Sequence, residues 1–327
     1  IEGFVRDIRD KNPLLARVDR ITQENAPVGN FTGYSIVKSR ASKNRTTLIS
    51  PDVCTCSDCL AEMNDPRDRR FEYPFINCTN CGPRFTIIRD IPYDRPKTSM
   101  HNFQMCKKCQ KEYDDPLNRR FHAQPNACPD CGPRVFLTDN RGKEIKDRQD
   151  AQVIARAGAL LAQGHILGVK GLGGFHLAVD AANDQAVKRL RKLKGRPHKP
   201  FALMARSVSS LSGHVRVSDQ ERQLLCSFHR PIVLLEKEAP PAHGGLSESV
   251  SPLNTCLGVM LPYTPLHVLL LEKGPSILVM TSGNRSGEPL SIDNDEAVSA
   301  FSHIADFFVL HDRDIYFRAD DSIARIQ

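Results

Sequence analysis

Nowhere in the 327 residues does an apolar run approach the roughly eighteen residues that a membrane-spanning helix needs. The opening Ile1-Glu2-Gly3-Phe4 lacks the basic-then-apolar order of a secretory signal, so a soluble, cytoplasmic chain with no membrane partner is expected. A Ser-His-Asp nucleophile frame, a Walker P-loop and a GxGxxG helix start are also missing, which disfavours covalent catalysis and P-loop hydrolysis. No Met opens the chain, and Arg325-Ile326-Gln327 closes it just after an apolar-polar run, so a segment of a longer protein is expected. Charge of one sign is barely in excess. The 45 Lys and Arg against 38 Asp and Glu leave +7, weak evidence over this length for a nucleic-acid surface.

What is present begins with cysteine. Eleven in a chain of cytosolic character are poorly explained as disulfides, because that compartment keeps thiols reduced and uses Cys pairs for metal. Cys56-x2-Cys59 is followed after eighteen residues by Cys78-x2-Cys81, and Cys106-x2-Cys109 after the same eighteen by Cys128-x2-Cys131. The frame repeats with a period of 50, and the match runs past the cysteines. Asp65-Pro66-Arg67-Asp68-Arg69-Arg70-Phe71 aligns with Asp115-Pro116-Leu117-Asn118-Arg119-Arg120-Phe121, as an internal duplication would. Each Cys-x2-Cys knuckle offers two thiolates on one side of a turn, and two knuckles complete the tetrahedral shell that zinc prefers. A shell of four sulfurs leaves no open position, so two structural Zn²⁺ sites are predicted. Whether the knuckles pair within a repeat or between repeats is left open by the spacing. Gly82 and Gly132, each following the last Cys, are expected to serve a sharp turn. Cys54, Cys226 and Cys256 fall outside the frame and read as ordinary cysteines.

The length suggests two or three domains. From Asp150 onward helical and extended patterns alternate: a helix over 151–163, a strand Ile166–Val169, a helix carrying Val187, Leu190 and Leu193, and a capping box at Ser218-Asp219-Gln220-Glu221. The apolar runs 201–204, 232–235, 277–280 and 307–310 read as buried strands. An open α/β sheet with helices on its faces follows, and ligands of such sheets bind in loops beyond strand ends. Three loops have the chemistry for an anionic ligand. Lys170-Gly171-Leu172-Gly173-Gly174 combines a cation with glycines that let backbone N–H groups approach. Lys194, Arg196 and Lys199 form a basic cluster suited to a triphosphate. Thr281-Ser282-Gly283-Asn284 offers hydroxyls and an amide just after a strand. In the charged run 311–322 the neighbours Asp320 and Asp321 could hold Mg²⁺ through nucleotide phosphates.

Phe75-Ile76-Asn77-Cys78-Thr79-Asn80-Cys81-Gly82-Pro83-Arg84 and Arg119-Arg120-Phe121-His122-Ala123-Gln124-Pro125-Asn126-Ala127-Cys128 resemble the duplicated zinc region of the HypF family of hydrogenase-maturation carbamoyltransferases. Residues 170–176, Lys199-Pro200-Phe201-Ala202 and Thr281-Ser282-Gly283-Asn284 resemble the YrdC-like domain that this family shares with threonylcarbamoyl-adenylate synthases. The resemblance implies a mixed α/β fold: a YrdC-like open twisted sheet over 150–327, a tandem zinc-finger region with two four-cysteine sites over 46–137, and the remnant of an acylphosphatase-like domain over 1–45, seen in Pro13–Val18 and Tyr34–Val37. It implies a nucleotide pocket of Lys194 with Arg196 and Ser282 with Asn284, joined by Lys170, Gly173, Lys199, Thr281, Arg318 and Ser322. The implied activity is ATP-dependent formation of carbamoyl adenylate from carbamate derived from carbamoyl phosphate, with Mg²⁺ accompanying ATP. HypE is the implied carbamoyl acceptor, and nucleic acid is not expected as a partner. The competing readings are a threonylcarbamoyl-adenylate synthase and a zinc-knuckle nucleic-acid module.

Overall fold

The structure, a computed structural model, describes residues 2–11, 16, 18–27, 29, 33, 48–147, 149–238, 245–285 and 287–327. The chain separates into two compact units, Ile1–Leu48 and Ile49–Gln327. In the first, helix α1 (Glu2–Asp10) buries no side chain, and Lys11 pairs with Asp7 one turn back. The segments Pro13–Val18 and Tyr34–Val37, expected to be acylphosphatase-like, lie almost wholly outside the described residues.

The second unit is built on one ten-stranded sheet. Its strands are β1 (Val135–Asp139), β2 (Glu144–Ile145), β3 (Leu167–Lys170), β4 (Phe175–Asp180), β5 (Ala202–Ala205), β6 (Ile232–Glu236), β7 (Cys256–Met260), β8 (Ile277–Ser282), β9 (Phe307–His311) and β10 (Ile323–Ala324). In space they run β10-β6-β7-β5-β8-β4-β3-β9-β1-β2, with parallel pairing only at β10–β6, β7–β5 and β3–β9. The expected mixed α/β sheet is therefore found, and it is richer in antiparallel pairing than alternation alone suggests. The cause is local. The glycine loop after Lys170 is a tight turn, Gly171 N–H to Gly174 C=O at 2.9 Å, which folds β4 straight back along β3.

Period-two alternation sends each strand's side chains to two layers. Leu177 and Val179 of β4 face one layer with Ile277 and Val279 of β8, covered by α5 (Asp184–Leu193), α6 (Asp219–Cys226) and α8 (Asn294–Phe301). Ala178, Leu278 and Met280 face the other, covered by α4 (Asp150–Ala162) and α7 (Pro265–Lys273). The cysteine-rich region joins this second layer. Cys59, Met63, Tyr73, Phe75 and Ile87 pack in the same apolar cluster as α4 and α7. Backbone bonds stitch the junction: Cys54 N–H to Phe228 C=O, Thr55 N–H to Tyr263 C=O and Tyr316 N–H to Thr86 C=O. The capping box at Ser218 forms as its sequence predicts. Among the described residues no helix is long and apolar enough to cross a membrane.

Candidate functional site

The eight framed cysteines assemble as two quartets, Cys56-Cys59-Cys78-Cys81 and Cys106-Cys109-Cys128-Cys131, each with its sulfurs within 4.8 Å of one another. The knuckles thus pair within a repeat. Helices α2 (Ser57–Asn64) and α3 (Lys107–Asp114) start directly after Cys56 and Cys106, which places Cys59 and Cys109, the second Cys of each repeat's first knuckle, in a first helical turn. All eight thiols are free, and a compact four-sulfur donor set fits a tetrahedral metal ion. Of the two glycines, one departs from expectation. Gly82 has φ of +91°, as a sharp turn requires, but Gly132 does not adopt positive φ. A Cβ on Gly132 would sit 2.1 Å from the Tyr73 hydroxyl and 2.5 Å from Ala127 Cβ, so close packing fixes that glycine.

The duplicated arginines explain why the frame repeats beyond its cysteines. Arg69 donates to Cys109 Sγ at 3.3 Å and to Glu112 at 2.6 Å, while Arg119 donates to Cys59 Sγ at 3.2 Å and to Glu62 at 3.0 Å. Their neighbours cross over too: Arg70 donates to Glu112 and to the Ala127 carbonyl, and Arg120 to Glu62 and the Asn77 carbonyl. Each repeat thereby supplies the cations for the other's thiolates. Burial alone would push the Glu112 carboxyl up, yet Arg70 and Arg69 hold it down at about 2. Even the strained positions correspond, with φ of 52° at Glu72 and 51° at His122.

The second constellation lies beyond the sheet. Lys194 caps the end of α5, where burial and then the charges of Arg196 and Lys199 lower its ammonium to about 8. Its Nζ donates to the carbonyls of Ser282 and Asn284, the latter at 3.2 Å. Ser282 Oγ donates to Asn284 Oδ1 at 2.8 Å, and Asn284 Nδ2 holds the Glu288 carbonyl at 2.8 Å. Arg196 reaches Thr281 Oγ1 at 3.2 Å and lies 5.3 Å from the Phe201 ring, its guanidinium shifted down first by burial and then by Arg191. Loops almost ninety residues apart are thus clamped together.

A cleft of about 390 Å³ opens on Lys194, Arg196, Lys199, Ser282 and Asn284. A neighbour of about 320 Å³ shares Arg196, Lys199 and Ser282 and adds Thr281, Asp320 and Asp321. Gly173 and Ser322 line a third, which also includes Asp320 and Asp321. The sizes suit a small-molecule ligand. Gly173 is required by proximity, since a Cβ there would lie 2.3 Å from the Ala319 carbonyl oxygen. Two predicted residues stand apart from the basic cluster. Lys170 lines a narrow pocket at the junction with the cysteine region, and Arg318 donates to the Leu290 carbonyl at 2.6 Å.

Sequence reasoning missed the pairing of His176 with Asp321, whose Nε2 and Oδ2 are 3.1 Å apart. Burial works against the Asp321 charge, but this bond helps hold its carboxyl below the usual range. Both residues belong to quoted loops, and only the fold brings them together. Asp321 is therefore already engaged. Among the described residues the cysteine quartets are the only clusters of three or more metal-ligating groups, so Asp320 and Asp321 gain no third protein ligand.

Comparison with known proteins places these features. Residues 159–327 match the Sua5_yciO_yrdC family model, described as telomere recombination, and residues 55–88 and 105–138 each match the HypF finger. The chain is 50% identical to the carbamoyltransferase HypF of Rhodobacter capsulatus over 99% of its length, and 47% identical to that of Synechocystis over 100%. It spans 42% of each of those relatives. A crystal structure of full-length HypF in the phosphate- and nucleotide-bound form superposes with a TM-score of 0.90 at 47% identity, covering 99% of this chain and 41% of that one.

Proposed function

This chain belongs to the HypF family, its C-terminal half being a Sua5/YciO/YrdC domain, and from that premise we propose that it forms carbamoyl adenylate from ATP and carbamate in the cleft of Lys194, Arg196, Ser282 and Asn284. The observation that carries the reading is the convergence of two half-buried cations and two hydroxyl or amide side chains on one cleft. In the reaction a carbamate oxygen attacks the α-phosphorus of ATP. The new C–O–P linkage forms as the bond to the β-phosphate oxygen breaks, and pyrophosphate leaves with its electron pair. The chain's own work is to align the two anions and neutralise phosphate charge, with Arg196 as a planar fork and Lys194 as a point charge. No protein nucleophile takes part. Mg²⁺ arrives on the nucleotide, and Zn²⁺ in each cysteine quartet supplies a closed structural shell. A HypF crystal with phosphate and nucleotide supports ATP as the ligand. The adenylate is the donor for carbamoyl transfer to HypE in hydrogenase maturation, a step that draws on parts of the relatives beyond this span.

The test is carbamate-dependent pyrophosphate release from ATP by zinc-loaded protein. Release should fall at least about tenfold in Lys194→Ala and Ser282→Ala, the loss expected for a charge or hydrogen bond made in the transition state. Release that ignores carbamate but requires threonine and bicarbonate would assign the cleft to the threonylcarbamoyl reaction instead.

A further inference from the structure

A narrow pocket separates the finger region from the sheet, lined by Phe75 on one side and by Lys170, His311 and Arg313 on the other. Lys170 is 2% exposed, Arg313 6% and His311 1%. Buried cations are normally paired with acids. Among the described residues these two are not. There Lys170 Nζ donates only to the His311 carbonyl at 3.1 Å, and Arg313 rests over the Phe75 ring with its Nε unsatisfied. The acids that act on them are committed elsewhere. Asp52 accepts from Arg84 and Thr86, Asp312 from the Arg134 amide, Asp314 pairs with Arg89, and Asp293 caps α8. The first turn of α7, from Thr264 to Leu266, lines the same pocket and brings the positive end of the helix dipole to it.

His311 adds a requirement of its own. Its Nε2 lies 3.3 Å from the Gly171 carbonyl and so carries the proton, which leaves the buried Nδ1 as a lone-pair acceptor with no hydrogen-bond partner among the described residues. The pocket therefore offers positive charge, N–H donors and one acceptor in a space too narrow for a nucleotide. We propose that it is a binding site for a small planar carboxylate that carries its own hydrogen-bond donor, the carbamate and bicarbonate class, held between Lys170 and Arg313 with its N–H or O–H turned to His311 Nδ1. Chloride and nitrate satisfy the charge but not Nδ1. The neighbouring cleft shares Val53, Leu172 and Tyr263 with this pocket and shares Asp320 and Asp321 with the cleft of Arg196, Lys199 and Ser282, so adjoining cavities link the anion pocket to the basic cluster. The site stands on its own geometry, and only its role as a carbamate store rests on the adenylation proposed above.

The probe is ¹³C-labelled bicarbonate titrated into the whole chain and followed by NMR. Binding should weaken at least about tenfold in Lys170→Met and Arg313→Met, remain in the surface variant Lys188→Met, and resist competition by equal chloride or nitrate. Should either variant misfold, the unmodified protein crystallised in bicarbonate decides: density for a planar anion between Lys170 and Arg313 is expected, and a water alone there overturns the proposal, as does binding unaffected by both variants. In the pyrophosphate assay Lys170→Met should raise KM for carbamate about tenfold while leaving KM for ATP unchanged. A wild type that binds bicarbonate here yet releases no pyrophosphate would overturn the adenylation reading and leave the anion site standing.

Discussion

Between residues 55 and 134 the largest fully buried side chains include Arg70, and Arg120 is nearly as buried, whereas in the sheet layers the largest are Phe175, Phe201, Phe301 and Phe308. The finger region has two eight-residue α-helices, three 3₁₀ helices of three or four residues and short turns, and it is held by sulfur quartets and crossed arginines. The sheet is held by aliphatic and aromatic layers on both faces. The difference teaches where each region is vulnerable. One depends on an ion and on charge partners supplied by its own duplicate, the other on volume filled by carbon.

Metal removal should separate the two most widely. Binding in structural zinc peptides is worth about 10–16 kcal/mol, so chelation should abolish hydrogen-exchange protection over 55–134 while amides of β4 and β8 stay protected. Equal loss in both regions would mean that the shared apolar layer, not the metal, carries the fingers. Next in size, Arg70→Met should cost about 3 kcal/mol, because Glu112 keeps Arg69 but loses its buried partner, and the Ala127 carbonyl and Asn126 Oδ1 lose their donor. Its signature is positional: the quartet Cys106–Cys131 should release metal faster, and Cys56–Cys81 should keep it. Phe308→Ala, with a cavity penalty of similar size, should lower the unfolding midpoint with no change in metal content. A variant that moved both readouts together would erase the contrast. The smallest effect concerns the cleft. Because the Lys194 ammonium is lowered to about 8, its charge is present below that pH and lost as pH rises through it. ATP affinity should thus decline above about pH 8, by at most about tenfold per unit, and Lys194→Arg should flatten the decline.

The finger quartets were legible because their geometry is local: four sulfurs at fixed spacing, repeated. Runs such as 232–235, 277–280 and 307–310 were legible as strands because a buried strand shows up as unbroken apolar residues. Strand β4 was hidden because its start, Phe175-His176, follows four residues that read as a glycine loop. Helix α7 was hidden because six of its nine residues are buried, which leaves no polar face to mark a period. The duplicated arginines were visible as a repeat, but their exchange between repeats spans 40 residues for Arg69 and 60 for Arg119 and follows from packing alone. Lys170 illustrates the same limit. A cation before a glycine turn reads as part of the nucleotide loop, and the pleat and the junction with the fingers put it in a separate pocket.

The most direct test of the adenylation account is exchange of labelled pyrophosphate into ATP, catalysed by this chain with carbamate present. Exchange that requires carbamate and is lost in Arg196→Ala is predicted, because only a reversible adenylate at that cleft returns label to ATP. Carbamate-independent exchange, or exchange undiminished in Arg196→Ala, would contradict it.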